Sequence, residues 1–149
     1  ALLRPEVRVF LSNSVNEKVS YDIYARWLRR RAAQAGLAAD FLDHPPGRPD
    51  PAKLVYGESI HHREAPQAVA DGRADVAVVF YHLALRYARV FPEVFEFVRQ
   101  VPADESDMSR LHCGAIGDGG AWGAAALAFL HGDATAAIYA RHGLDPVPA

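Results

Sequence analysis

The sequence has little of several features that would narrow its function. Cys113 is the only cysteine, which excludes an intrachain disulfide and leaves the redox compartment open. No apolar run approaches the roughly 20 residues that span a bilayer, and no signal-peptide pattern is present. The formal net charge of −2 lacks the basic excess of a broad nucleic-acid surface, so we expect no nucleic-acid partner.

Motifs of catalysis and metal binding are also missing. The chain contains no Gly-x-Ser-x-Gly turn, no phosphate-binding glycine loop and no His-x-x-x-His or Cys-x-x-Cys pair. His112 and Cys113 are adjacent, but neighbours in a strand point to opposite faces. We therefore predict that Cys113 packs in the core, and that the protein is not an enzyme.

What the sequence does contain is an alternation of strands and helices. Half of its 149 residues are hydrophobic, which is enough for a substantial core. Apolar spacing and turn residues predict three strands separated by two helices: a strand at Val7–Leu11, a helix at Tyr21–Ala35, a strand at Lys53–Tyr56, a helix at His62–Asp71 and a strand at Val76–Phe80. The last strand is an unbroken apolar run, typical of a parallel sheet. The predicted class is therefore α/β with a mainly parallel sheet.

The second half of the chain is predicted to be more varied. A proline-rich connection covers Asp43 to Pro51, and a polar linker covers Asp104 to Ser109. The predicted elements are a helix at Tyr81–Arg89, strands at Phe95–Pro102 and Leu111–Ile116, and helices at Ala121–Leu130 and Ala134–His142.

The stretch from Tyr56 to Pro66, continued through Gly72 to Tyr81, is the centre of the pattern. It reads as a loop, a helix, a tight turn and a buried strand that ends in polar residues. Such a unit directs a helix N-terminus and the carboxyl end of a strand towards one crevice. Because helix N-termini carry unpaired N–H groups and partial positive charge, that crevice suits an anion.

Three segments in order resemble the type II periplasmic solute-binding proteins, in particular the molybdate-binding receptors of ABC importers. They are residues 7–13, residues 53–58 together with 71–79, and residues 124–130 continuing through 137–144. The resemblance implies a three-layer sandwich lobe, the second of two, at residues 1–102. It also implies a return strand and two C-terminal helices at residues 103–149, which would pack on a first lobe outside this sequence.

The same resemblance implies a function and a location. The chain would bind molybdate, tungstate or a similar oxyanion without a cofactor, deliver it to a membrane ABC permease, and work in the periplasm or another extracytoplasmic compartment. Without the first lobe the last two helices would expose apolar side chains, so we expect a domain-swapped or tightly associated homo-oligomer.

The resemblance also places the ligand at two helix starts and after the central strand. The first start corresponds to Lys18-Val19-Ser20 and the second to His61-His62-Arg63. A family tyrosine falls on Phe80, with Tyr81 beside it as a substitute. The predicted ligand-binding residues are Ser12, Asn13, Val19, Ser20, His61, His62, Arg63, Phe80, Tyr81 and His82; no metal ligand is predicted.

Two other functions fit the same residues. A ligand-sensing domain of a transcriptional regulator can have this lobe fold, although the chain carries no helix-turn-helix motif. Alternatively, His61 and His62 could line a metal-binding lobe, since neutral imidazole is a common metal ligand.

Overall fold

A computed structural model of the chain describes residues 2–42, 53–102 and 111–145. The elements are β1 (Val9–Leu11), α1 (Lys18–Gln34), a 3₁₀ turn (Asp40–Leu42), β2 (Leu54–Tyr56), α2 (His61–Ala70), β3 (Val76–Ala77), α3 (Tyr81–Val90), α4 (Gly120–Leu130) and α5 (Asp133–Arg141). The predicted connection at 43–51 and the linker at 104–109 lie outside the described residues. None of the described helices combines the length and apolar character needed to cross a bilayer.

The strands form a parallel sheet in the order β2-β1-β3. Phe10 in the central strand is paired with Val55 on one side and Ala77 on the other. The prediction of an α/β fold with a parallel sheet is confirmed. The sheet of the described chain is small, with three short strands.

The core lies on both faces of β1. Because successive side chains of a strand point to opposite faces, Val9 and Leu11 pack towards α1, where they meet Tyr24 and Leu28. Phe10 points the other way and packs on α2, in a cluster with Ala65, Ala68 and Ala74. The two helices therefore cover opposite faces of the sheet, which explains why β1 is completely buried.

Hydrogen bonds from Lys53 and Arg8 stabilise the amino end of the sheet. Lys53 is buried, and its Nζ donates to the carbonyl oxygens of Leu2, Arg4 and Val7 at 2.7, 2.5 and 2.8 Å. On the other side, the Arg8 backbone N donates to Asp75 Oδ2 over 2.7 Å. This backbone hydrogen bond, together with the Arg8 side chain, lowers the pKa of Asp75 below its ordinary value.

Several element predictions are confirmed and others are wrong. Gly36 and Gly72 follow α1 and α2 with φ of 65° and 68°, as expected of glycines that end helices. In contrast, residues 95–102 and 111–116 contain no strand. Alternating apolar residues there have no neighbouring strand among the described residues, and a strand needs a partner for its backbone groups. Cys113 is exposed, so the prediction that it packs in the core is also wrong.

The helix α4 has an unusual surface. It contains no charged residue, yet Trp122 is 81% and Phe129 62% exposed. Ile116, in the segment before α4, is almost fully exposed as well. Among the described elements, α4 packs mainly on α5. Exposed apolar side chains were predicted for the last two helices; α4 has them at Trp122 and Phe129, and α5 exposes Ile138.

Candidate functional site

Each strand of the sheet is followed by a helix, so three helix N-termini start from one edge. β1 leads into α1, β2 into α2 and β3 into α3. Because the strands are parallel, their carboxyl ends share this edge, which we call the carboxyl edge. The first turn of each helix carries N–H groups without intrahelical partners and a partial positive charge. The carboxyl edge is therefore suited to an anion.

The loops that precede α1 and α2 are held together by two asparagines. Asn13 Nδ2 donates to the carbonyl oxygen of Gly57 over 2.9 Å, and Asn16 Nδ2 donates to that of Glu58 over 2.8 Å. Asn13 Oδ1 accepts from the backbone N–H groups of Val15 and Asn16, which fixes the turn into α1. The starts of α1 and α2 thus lie side by side, and the side chain of Asn13 is used in joining them.

The first amide of α2 already binds a carboxylate. Glu17, immediately before α1, places its Oε2 2.9 Å from the backbone N of His61. Glu17 makes no side-chain capping bond to its own helix. A carboxylate at a helix N-terminus lies where an external anion would bind. Part of the crevice that the sequence assigned to the ligand is therefore occupied by the chain itself.

The ring of His61 belongs to the core. It lies 5.5 Å, centroid to centroid, from the rings of Phe10 and Tyr24, and Nε2 donates to the carbonyl oxygen of Val78 over 3.0 Å. Burial lowers the pKa of this imidazole to about 4, so the ring is neutral near pH 7. The binding of an anion by a protonated His61 ring therefore stays a prediction, which the neutral, core-packed ring does not favour. What His61 offers the crevice is its backbone N–H.

Three buried hydroxyl groups, those of Ser12, Tyr24 and Tyr56, have no hydrogen-bond partner among the described residues; the first two bear on the carboxyl edge. Ser12, directly after β1, is completely buried with an unpartnered Oγ, and the hydroxyl of Tyr24 is also unpartnered. Leaving a buried hydroxyl unpaired costs about 1–3 kcal/mol. A ligand could pair with either hydroxyl only if the side chains that bury it moved aside.

The surroundings of Tyr24 locate its hydroxyl. Burial raises the pKa of this phenol well above its ordinary value, the nearby backbone of Phe80 acts against the rise, and the Glu17 carboxylate adds to it. The ring that carries this hydroxyl packs 5.4 Å from the ring of Phe80, the residue before α3. Phe80 is close to it but does not complete a hydrogen bond of good geometry.

The residues predicted after the central strand divide into two groups. Phe80 points inward, with its ring 5.4 Å from Tyr24 and stacked 6.1 Å from His82. Tyr81 packs instead on Phe97, with ring centroids 5.4 Å apart. The ring of Tyr81 therefore lies against Phe97, and its replacement of the family tyrosine stays a prediction. Burial lowers the pKa of His82, whose half-buried ring stacks on that of Phe80.

The remaining predicted residues lie at the rim. Val19 and Arg63 are exposed, and Ser20 is half-buried in the first turn of α1. His62 is exposed, and its carbonyl oxygen accepts from the Tyr87 hydroxyl over 2.6 Å. Among the described hydrogen bonds, none joins one of these side chains to the His61 amide or to the hydroxyls of Ser12 and Tyr24.

The first turn of α2 carries a second carboxylate. Glu64 accepts from the backbone N of Ser59 over 3.1 Å, so it caps the loop before the helix. No group of three or more His, Cys, Asp or Glu side chains in the described ranges is arranged to hold a metal ion. With the His61 ring committed to the core, the His-lined metal lobe has no geometric support.

Sequence reasoning missed two residues of this site, Glu17 and Tyr24. Tyr24 lies at helical spacing with the apolar residues of α1, and this periodicity carries no signal for the position of its hydroxyl. Glu17 lies in the polar segment before α1. Its contact to His61 joins residues 44 positions apart, and no local pattern in one sequence encodes such a contact.

Searches against protein-family models, curated proteins and solved structures found no match for this chain. The resemblance to oxyanion receptors therefore stays a prediction. What can be argued about function depends on the carboxyl edge itself.

Proposed function

We propose that this chain binds a small oxyanion such as molybdate or tungstate at the carboxyl edge. One observation carries the proposal: three helix N-termini start at an edge where the hydroxyls of Ser12 and Tyr24 are buried without partners. A tetrahedral oxyanion accepts hydrogen bonds on every side. It could therefore satisfy amide and hydroxyl donors that approach from different elements.

The donors in this proposal are neutral, which bears on selectivity. Backbone amides and hydroxyls held by packed elements cannot rearrange to suit any anion. A ligand of the wrong size would lose its hydration shell and leave some of these donors unpaired. Dipoles fixed in a dry crevice therefore select by shape as well as by charge, and no bond needs to be made or broken.

Such a lobe fits the role of a solute-binding protein for an ABC importer. In this proposal a second lobe closes over the anion, and closure signals occupancy to a membrane permease in an extracytoplasmic compartment. The three-layer sandwich of a receptor lobe is part of the same proposal. The small parallel sheet with α1 and α2 on opposite faces is consistent with it.

Calorimetric titration with molybdate, tungstate, sulfate and phosphate tests the proposal. We expect one of the four to bind, and we expect Tyr24→Phe to weaken its binding about tenfold through loss of one hydroxyl donor. Tyr21→Phe is the matched control, because the Tyr21 hydroxyl already donates to the carbonyl oxygen of Leu42. The control should bind like the unmodified chain, and absence of binding by all four anions would contradict the proposal.

A further inference from the structure

We propose that Glu17 is an internal competitor for the anion site, so that a bound anion must displace its carboxylate from the amide of His61. The proposal rests on the proposed function and adds its regulation. The Glu17 carboxylate already takes the hydrogen bond that the first amide of α2 offers to an anion, with Oε2 2.9 Å from the His61 nitrogen.

The contact between Glu17 and His61 is made between fixed backbones. The Glu17 backbone N donates to the carbonyl oxygen of Asn13 over 3.0 Å, and the Glu17 carbonyl accepts from the Tyr21 N. The opposite loop is held by the bonds from Asn13 and Asn16. Rotation of the Glu17 side chain alone can therefore free the His61 amide, and neither loop has to move.

Glu17 also acts on a second group that the proposed function assigns to the anion. Its carboxylate is close enough to Tyr24 to influence that phenol. An oxyanion bound to the Tyr24 hydroxyl would therefore be repelled by Glu17 unless the carboxylate turned away. The site is available only for the fraction of time that Glu17 is elsewhere, and the apparent affinity is reduced by that fraction.

Because of this competition, only an anion that binds more strongly than the Glu17 carboxylate can occupy the site. A tethered carboxylate is always present at high local concentration, so a weak acceptor or an anion of low charge cannot replace it. A compact dianion that engages the His61 amide together with the hydroxyls of Ser12 and Tyr24 can. Glu17 therefore favours multiply charged tetrahedral anions over monovalent ones.

The test compares Glu17→Gln and Glu17→Ala with Glu58→Gln by calorimetric titration with molybdate and sulfate. Glu58 is an exposed carboxylate in the facing loop whose backbone carbonyl, not its side chain, bonds to Asn16. The control removes one negative charge nearby without freeing the His61 amide. We expect both Glu17 variants to bind the preferred anion about tenfold more tightly or better, because a charge-assisted bond no longer competes. Glu58→Gln should change affinity less than threefold.

A second measurement needs no variant. The amide resonance of His61 in a ¹⁵N-correlated NMR spectrum should shift when molybdate is titrated into the unmodified chain. Equal affinity of the unmodified chain and both Glu17 variants, with an unmoved His61 resonance, would overturn the competition while leaving anion binding intact. Failure of every chain to bind any of the oxyanions would overturn the proposed function, and this inference with it.

Discussion

At the scale of single residues, the surroundings of a side chain decide its chemistry. His61 and His62 are adjacent in the sequence, yet one is 3% exposed and the other is at the surface. The buried ring donates to Val78 and has a depressed pKa, whereas His62 contributes its carbonyl oxygen to Tyr87. A pair of histidines that resembles a binding motif is therefore divided between the core and solvent.

The buried His61 predicts a loss of stability in mild acid. In the unfolded chain the ring has its ordinary pKa of 6.5, and in the native chain the pKa is about 4. Between these values the unfolded state binds more protons, so the free energy of unfolding falls as the pH falls. By pH 4.5 the loss should be about 2–3 kcal/mol.

Urea unfolding of the unmodified chain and of His61→Gln, at pH 7.5 and pH 4.5, measures this loss. Carboxylates titrate equally in both chains, so the difference between the two pH dependences isolates His61. We expect the variant to lose less stability than the unmodified chain on acidification. Identical pH dependences would show that burial of His61 does not control its protonation.

At the scale of elements, the sequence predicted helices and central strands better than it predicted isolated strands. α1 and α2 follow from apolar residues at helical spacing, and both appear close to their predicted bounds. The strand predicted at 95–102 has the alternation of a half-buried strand but no partner among the described residues. A helix satisfies its own backbone, while a strand depends on another segment. This explains why the errors are confined to strands.

Lys53 joins the N-terminal segment to the sheet, so we expect its substitution to destabilise the protein. Lys53→Met should lower the free energy of unfolding by about 2–3 kcal/mol, because the carbonyls of Leu2, Arg4 and Val7 lose a charged donor. Chemical denaturation at pH 7 measures the change. Lys18→Met is the matched control, since the ion pair of Lys18 with Asp22 lies exposed on the helix surface, and it should cost less than about 0.5 kcal/mol. Equal effects of the two substitutions would contradict the buried anchor.

At the scale of the whole molecule, apolar surface is distributed unevenly. The sheet with α1 and α2 has a closed core, whereas α4 leaves Trp122 and Phe129 largely exposed. Exposed apolar patches of this kind mark interaction sites. The resemblance predicted exposed apolar side chains on the last two helices, because a first lobe would otherwise cover them. Its covering by a second copy of the chain is a prediction that no comparison tests.

If the chain associates with itself through α4, its oligomeric state should depend on Trp122. Analytical ultracentrifugation at micromolar concentration should show a dimer or larger oligomer for the unmodified chain. Trp122→Glu should shift the population to monomer, because burial of an unpaired charge in an apolar interface is unfavourable. Val15→Glu adds the same charge at an exposed valine near α1 and should leave the assembly unchanged. A monodisperse monomer of the unmodified chain would contradict the prediction.

The sequence by itself predicted the alternation of strands and helices, the parallel sheet and a crevice next to a helix start and a strand end. These follow from apolar periodicity, glycine stops and the polar residues after each strand, which are local properties of the chain. Only the tertiary structure decided which groups lie at the carboxyl edge and which of them are already paired. Glu17 contacts the His61 amide, the His61 ring is buried, and the hydroxyls of Ser12 and Tyr24 are unpaired. Each of these features depends on segments that are distant in the chain. Their energies depend on which atoms meet in space, and a pattern of residue types does not contain that information.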